Sequence, residues 1–229
     1  ALWVSGRVNP GKRVVASDQA HYTHGRISEV LQIPFSPVAS DAAGRMGMVA
    51  LKELLDTGEI GTVVATLGTT GIGTTDPLPE ILSLARSYHV RVHVDAAYGG
   101  YFTLVNNLPK ETRAAFDAIV EADSVVIDPH KHGLQPYGCG CVLFRDPDVG
   151  GYYKHDSPYT YFTSSELHLG EISLECSRAG AAAVALWATQ KHLPLTRDGD
   201  FATDLQKCRN AAKGLFARLV ADEQFLTII

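Results

Sequence analysis

Residues 124–140 read Ser-Val-Val-Ile-Asp-Pro-His-Lys-His-Gly-Leu-Gln-Pro-Tyr-Gly-Cys-Gly, with Lys131 near the centre. Val125, Val126 and Ile127 form a short apolar, β-branched run, the pattern of a fully buried strand. Pro129 has no backbone N–H and cannot continue a central strand, so the chain must leave the sheet there. Lys131 is thereby placed just past a strand end, where open α/β sheets put their ligands. An amine held against the low-dielectric edge of a sheet can serve as a nucleophile. A loop lysine is more often a plain surface residue, so the reading needs a second element.

Residues 90–95 (Val-Arg-Val-His-Val-Asp) supply it, followed by Ala-Ala-Tyr-Gly-Gly. Asp95 closes this strand, and the small residues Ala96, Ala97, Gly99 and Gly100 leave room for a flat ligand. A lysine and a carboxylate at two strand ends suit pyridoxal phosphate: the amine holds the aldehyde and the carboxylate pairs with the pyridinium nitrogen. The same pair could also be a structural salt bridge.

Composition narrows the field. The chain has 229 residues, 45% hydrophobic and 20% charged, which describes an ordinary globular protein of one large domain, or one plus part of another. A formal charge of −5 without acidic or basic blocks argues against nucleic acid or an anionic membrane as partner. No uncharged apolar run approaches the roughly 20 residues of a membrane span, and no signal peptide is seen. Cys139, Cys141, Cys176 and Cys208 lack a C-x-x-C pair and read as reduced thiols of a cytoplasmic protein, with metal binding a minor reading.

Taken in order, residues 1–8 read as a helix end and residues 13–16 as a strand, with Ser17 and Asp18 capping the turn that follows. His21 and His24 lie three apart, a spacing compatible with a metal or with ordinary buried or surface histidines. A strand is expected over 30–33, ended by Pro34, and a helix over 41–55 with Met48, Leu51, Leu54 and Leu55 on one face. Strand 60–67 leads to Gly68-Thr-Thr-Gly-Ile-Gly73, and Asp76-Pro77 starts a helix through Tyr88. The glycines raise a nicotinamide-dependent oxidoreductase as the competing enzyme, but Asp76 stands where G-x-G-x-x-G requires its third glycine. His93 and Asp95 share a strand face, and His130 and His132 flank Lys131. A metallohydrolase could use such groups, yet a lysine between two histidines repels a cation. Residues 138–144 read as an antiparallel strand, because a tight connection precedes it. The tyrosine-rich stretch 150–170 reads as a surface loop and candidate lid. Helices are expected over 178–192 and 196–219, and a strand start over 225–229.

Five runs occur in order: Ser17-Asp-Gln-Ala-His21, Leu67-Gly-Thr-Thr70, His93-Val-Asp-Ala-Ala-Tyr98, Asp128-Pro-His-Lys131 and Cys176-Ser-Arg-Ala-Gly180. Together they resemble the group II pyridoxal-phosphate amino-acid decarboxylases, the aromatic amino-acid, tyrosine and glutamate decarboxylases, over residues 13–195. The resemblance implies the α/β, three-layer sandwich of fold-type-I pyridoxal enzymes, with a mostly parallel seven-stranded sheet. Alternating strand and helix signals support α/β independently. It further implies a homodimer with its active site at the subunit interface. Residues 1–195 are then most of the cofactor domain, lacking an upstream phosphate loop, and 196–229 open a small C-terminal domain.

The implied reaction is decarboxylation of an L-amino acid to an amine and carbon dioxide, a part of amino-acid metabolism. Lys131 holds the cofactor, Asp95 pairs with the ring nitrogen, and His21 lies over the ring. Thr70 approaches the ring and its 3′ oxygen, Ala97 lines the cofactor site, and His130 and position 128 approach the phosphate. Several relatives carry asparagine where this chain has Asp128, and a carboxylate there suits backbone or the lysine loop better than phosphate. In aromatic amino-acid decarboxylases a lid tyrosine protonates the product carbon. Ungapped spacing from Arg178 puts Glu166 at that place, and Tyr161 or Tyr159 serves with a shift. No metal is implied. An aminotransferase, aldehyde synthase or carbon–carbon lyase of the same fold would share Lys131 and Asp95, and a non-catalytic fragment would hold no cofactor.

Overall fold

The structure is a computed structural model and describes residues 1–154 and 180–222. Six strands form one sheet: β1 (Arg13–Ser17), β2 (Phe35–Val38), β3 (Ile60–Thr66), β4 (Arg91–Asp95), β5 (Ser124–Ile127) and β6 (Cys141–Phe144). Their spatial order is β2-β1-β3-β4-β5-β6. The first five are parallel and β6 runs antiparallel to β5, with Val125 opposite Leu143. The sheet is thus mostly parallel, as expected, with six strands among the described residues.

The described residues form seven α-helices: α1 (Leu2–Val8), α2 (Thr23–Val30), α3 (Met48–Asp56), α4 (Leu78–Ser87), α5 (Lys110–Asp117), α6 (Ala181–His192) and α7 (Asp200–Ala221). All seven residues of β3 are buried, as the central strand of a parallel sheet requires. Alternation sends Val15, Val63, Ala65, Val92 and Val94 to one face, where Leu51, Leu55, Leu78, Ile81 and Phe116 of α3, α4 and α5 close the main core. In α4 the buried residues Leu78, Ile81, Leu82 and Ala85 fall at i, i+3, i+4 and i+7, one helical stripe. The opposite face carries Val14, Ala16 and Val64 under Leu2, Ile33 and Phe35, a smaller cluster beneath α1 and α2. Phe201 and Leu205 of α7 pack on Tyr101 and Val105 beyond β4.

Three expectations need correction. The strand placed at 30–33 lies instead at Phe35–Val38, because α2 runs to Val30 and Gln32 turns the chain in the left-handed region (φ 56°). Pro34 precedes that strand, and Pro37 sits inside it, tolerated because β2 is an edge. The helix placed at 41–55 starts at Met48. Asp41 accepts from the Ala43 and Arg45 N–H groups and pairs with the Arg45 guanidinium, so it builds a turn rather than a helix start. Val125, Val126 and Ile127 are half-buried rather than fully buried, since Val126 borders an open cavity. The candidate lid, Cys176 and residues 225–229 lie wholly or largely outside the described residues.

Candidate active site

The parallel strands β3, β4 and β5 end side by side, with Thr66 opposite Asp95 and Asp95 opposite Val126. Their loops are interlocked by backbone. A Cβ on Gly99 would stand 2.0 Å from the Leu67 carbonyl oxygen, so only glycine lets the loops after β3 and β4 touch. Ala97 O accepts from Asp128 N at 3.2 Å, joining the β4 turn to the lysine loop. That loop folds on Lys131 N to Asp128 O (2.9 Å), Gln135 N to Pro129 O (3.1 Å) and His130 N to Cys139 O (3.1 Å).

A cavity of about 500 Å³ opens on these strand ends. Lys131, Asp95, His21, Thr70, Ala97 and Asp128, six of the residues singled out in the sequence, all line it. Lys131 Nζ stands 3.0 Å from Asp128 Oδ2, so the carboxylate serves the lysine loop. His21 Nδ1 is 2.8 Å from Thr23 Oγ1, which fixes its ring at the cavity wall. His130 is not brought to this wall. Its Nδ1 donates to the Cys139 carbonyl at 2.6 Å and its ring packs on Tyr137, because the loop after Pro129 folds back on residues 135–139. Tyr161, Tyr159 and Glu166 lie outside the described residues.

Asp95 is the electrostatic centre. Its side chain is 10% exposed, Oδ1 accepts from Ala97 N at 3.0 Å, and Oδ2 lies 2.7 Å from His24 Nε2. Burial pushes this carboxyl up, but the His24 hydrogen bond and charge together with the Ala97 N–H outweigh it and hold it below the usual range. His24 is therefore a partner that the sequence reading did not assign. Local sequence could not show it across 71 residues, although a buried carboxylate with no cation beside it demands such a partner. His93, on the same strand face, is pushed down to about 3 chiefly by burial, and its Nδ1 meets Ser124 Oγ at 2.9 Å.

Asp76 is the second group whose role the sequence hid. Its two oxygens accept from Met46 N and Thr66 N, both at 2.7 Å, clamping the turn before α3 to the end of β3. Burial pushes its carboxyl up to about 6 against those two hydrogen bonds. The glycine run before it closes on itself, with Thr69 N to Thr74 O and Gly73 N to Thr69 O both at 2.9 Å. Those N–H groups are spent within the turn, which argues against a dinucleotide phosphate there.

A larger cavity, about 800 Å³, lies between α4, α5 and α7. It holds no lysine–carboxylate pair, so the smaller one is the candidate site. Among the described residues no group of three or more His, Cys, Asp or Glu side chains could hold a metal ion. The residues around the smaller cavity do fit pyridoxal phosphate: an amine and a buried carboxylate face one space. Thr66, whose buried Oγ1 finds no partner among the described residues, lines it as well.

Fold and site define a class: a mostly parallel α/β domain presenting a lysine amine and a paired, buried carboxylate to one cavity, as pyridoxal-phosphate domains do. Comparison with known proteins narrows that class. Residues 4–229 match the model of the pyridoxal-dependent decarboxylase conserved domain, and the chain belongs to that family. It is 31% identical over 196 residues to a probable L-tyrosine/L-aspartate decarboxylase of Methanosarcina barkeri, covering 85% of this chain and 46% of that one. It is 40% identical over 141 residues to the L-2,4-diaminobutyrate decarboxylase of Rhizobium meliloti, covering 58% and 28%. Among solved structures, mouse CSAD in apo form superposes with a TM-score of 0.80 at 25% identity, covering 95% of this chain and 46% of that one. The chain thus spans about half the length of the curated relatives it matches, or less.

Proposed function

We propose that this chain is the central part of a pyridoxal-phosphate-dependent decarboxylase that converts an L-amino acid to its amine and carbon dioxide. The observation that carries the reading is the placement of Lys131 and Asp95 at adjacent strand ends on one cavity of about 500 Å³. When bound, the cofactor supplies an electron sink for the pair left behind as carbon dioxide departs. Lys131 Nζ anchors the aldehyde, and Asp128 Oδ2 holds that ammonium at the cavity wall whenever it is free. Asp95, fixed by the His24 and Ala97 donors, would pair with the ring nitrogen of the bound cofactor. His21, Thr70 and Ala97 line the same cavity and would enclose the bound ring, with His21 lying over it. Tyr161 is the proposed proton donor to the product carbon.

The reading extends to a cytoplasmic homodimer whose partner completes the site. Leu134 and Tyr137, exposed by 64% and 94% beside the lysine loop, give apolar surface for such a partner to cover. No helix among the described residues is long and apolar enough to cross a membrane. Residues 196–229 are taken as the opening of a small domain.

The test is product analysis with the full-length protein and a panel spanning aromatic, acidic and basic amino acids, the chemistries in the names of the relatives above. Amine and carbon dioxide in equal amounts are expected. A keto acid or an aldehyde as the main product would assign an aminotransferase or an aldehyde synthase instead. Borohydride fixation should place the cofactor on Lys131, and its recovery on another lysine would redraw the site.

A further inference from the structure

The cofactor reading gives Asp95 a role, but it leaves a short buried contact of the site unexplained. His24 Nε2 stands 2.7 Å from Asp95 Oδ2, with the two side chains 9% and 10% exposed. A carboxylate can only accept, so Nε2 carries the hydrogen whether the imidazole is neutral or charged. The second oxygen is held by Ala97 N. Each carboxylate oxygen offers about two lone-pair sites, so one remains free on each after these two donors. A third donor can therefore be accepted from the cavity without displacing His24.

The placement of His24 comes from α2. It follows His21 by three residues, so both side chains face the same cavity, His21 at its wall and His24 against the β4 end. The helix is seated through Gly25, where a Cβ would just touch the Phe35 ring at 3.4 Å. The histidine thus arrives from the layer above the sheet and meets a carboxylate from the sheet itself.

We propose, resting on the cofactor reading above, that His24 is a positioning residue for the cofactor. By donating Nε2–H to Asp95 Oδ2 it aims that carboxylate at the ring nitrogen and so keeps the nitrogen protonated. Loss of the donor leaves Asp95 with the Ala97 N–H as its one donor among the described residues, free to rotate or to take up a proton in its buried site. Asp95 is held below the usual carboxylate range against its burial, chiefly through His24, which agrees with this geometry.

The experiment uses the full-length protein loaded with pyridoxal phosphate labelled with ¹⁵N in its ring, alongside His24→Leu and His24→Gln. Leucine removes the donor and keeps bulk, while glutamine returns an N–H near the position of Nε2. The wild-type ring nitrogen should resonate as protonated. His24→Leu should move it toward the unprotonated shift and weaken cofactor affinity roughly 10- to 100-fold, the range seen when a metal ligand loses the group that orients it. His24→Gln should restore most of both. A protonated nitrogen and unchanged affinity in His24→Leu would overturn the proposal, as would a glutamine variant as impaired as leucine. Histidine ¹⁵N spectra of the wild type need no substitution: Nε2 of His24 must carry hydrogen, and a bare Nε2 also overturns it. Failure of borohydride to fix cofactor on Lys131 of the wild type would strike the cofactor reading instead, so the two failures remain distinct.

Discussion

The two faces of the same sheet differ in kind. On the side of α3, α4 and α5, β3 sends Val63 and Ala65 into a continuous apolar core. On the side of α1 and α2, the alternate residues of the same strand are Thr62, Val64 and Thr66, and their neighbours on β4 are Arg91, His93 and Asp95. Thr62 and Thr66 bury hydroxyls that find no partner among the described residues. Strand alternation therefore separates two tasks on one backbone: one face supplies cohesion, and the other holds costly polar groups for chemistry.

That contrast can be broken most sharply at Lys131. Lys131→Ala should abolish covalent fixation of the cofactor and turnover altogether. Its circular dichroism should match the wild type, because the side chain is partly exposed on a loop and pairs only with Asp128 among the described residues. An unfolded variant would mean that the polar side also carries cohesion.

Ile81→Ala tests the opposite face. This fully buried side chain of α4 touches no group of the site, and its truncation should cost about 2–5 kcal/mol of stability in a denaturant titration. The spectrum of bound cofactor in the folded fraction should not move.

Asp95→Asn keeps the shape and removes the charge. Single-turnover rates should fall by about 30- to 1,000-fold, corresponding to roughly 2–4 kcal/mol of barrier. Cofactor retention should fall less, since the proposed bond to Lys131 remains. Normal turnover would make Asp95 structural.

The smallest effect is expected at Thr62. Thr62→Val replaces an orphaned buried hydroxyl by a methyl of similar shape, and thermal unfolding should show anything from no change to a gain of about 1 kcal/mol. A clear loss would reveal a partner for that hydroxyl and blur the division between the faces.

Much of this was legible in sequence because strands and ligand sites have local signatures. The β-branched runs at 62–64 and 125–127 and the punctuation after Asp95 and Ile127 placed the strand ends, and with them Lys131 and Asp95, whereas Thr70 and Ala97 were assigned through the family resemblance and line the same cavity. Pro34 misled because proline was read as a strand terminator, whereas an edge strand admits Pro37 within it. His24 and Asp76 escaped because their partners lie 71 and 30 residues away, and only the folded chain brings them together. His130 was singled out, but its turn away from the cavity wall was not foreseen, because a loop that folds back on Cys139 leaves no mark in the order of residues.

The edge made by β2 has a consequence of another sort. The Pro34 and Val38 carbonyls face β1, where they accept from Val14 and Asp18, so alternation turns residues 35 and 37 outward. At 37 the outward nitrogen has no hydrogen, and at 35 the carbonyl accepts from Arg13 Nη1 at 3.4 Å. The border offers a newcomer a single backbone donor, at Phe35. Aggregation by strand addition needs a repeating ladder of such groups. Partly unfolded copies meeting at this border find nothing to zip onto, so the sheet is guarded on that flank against intermolecular growth.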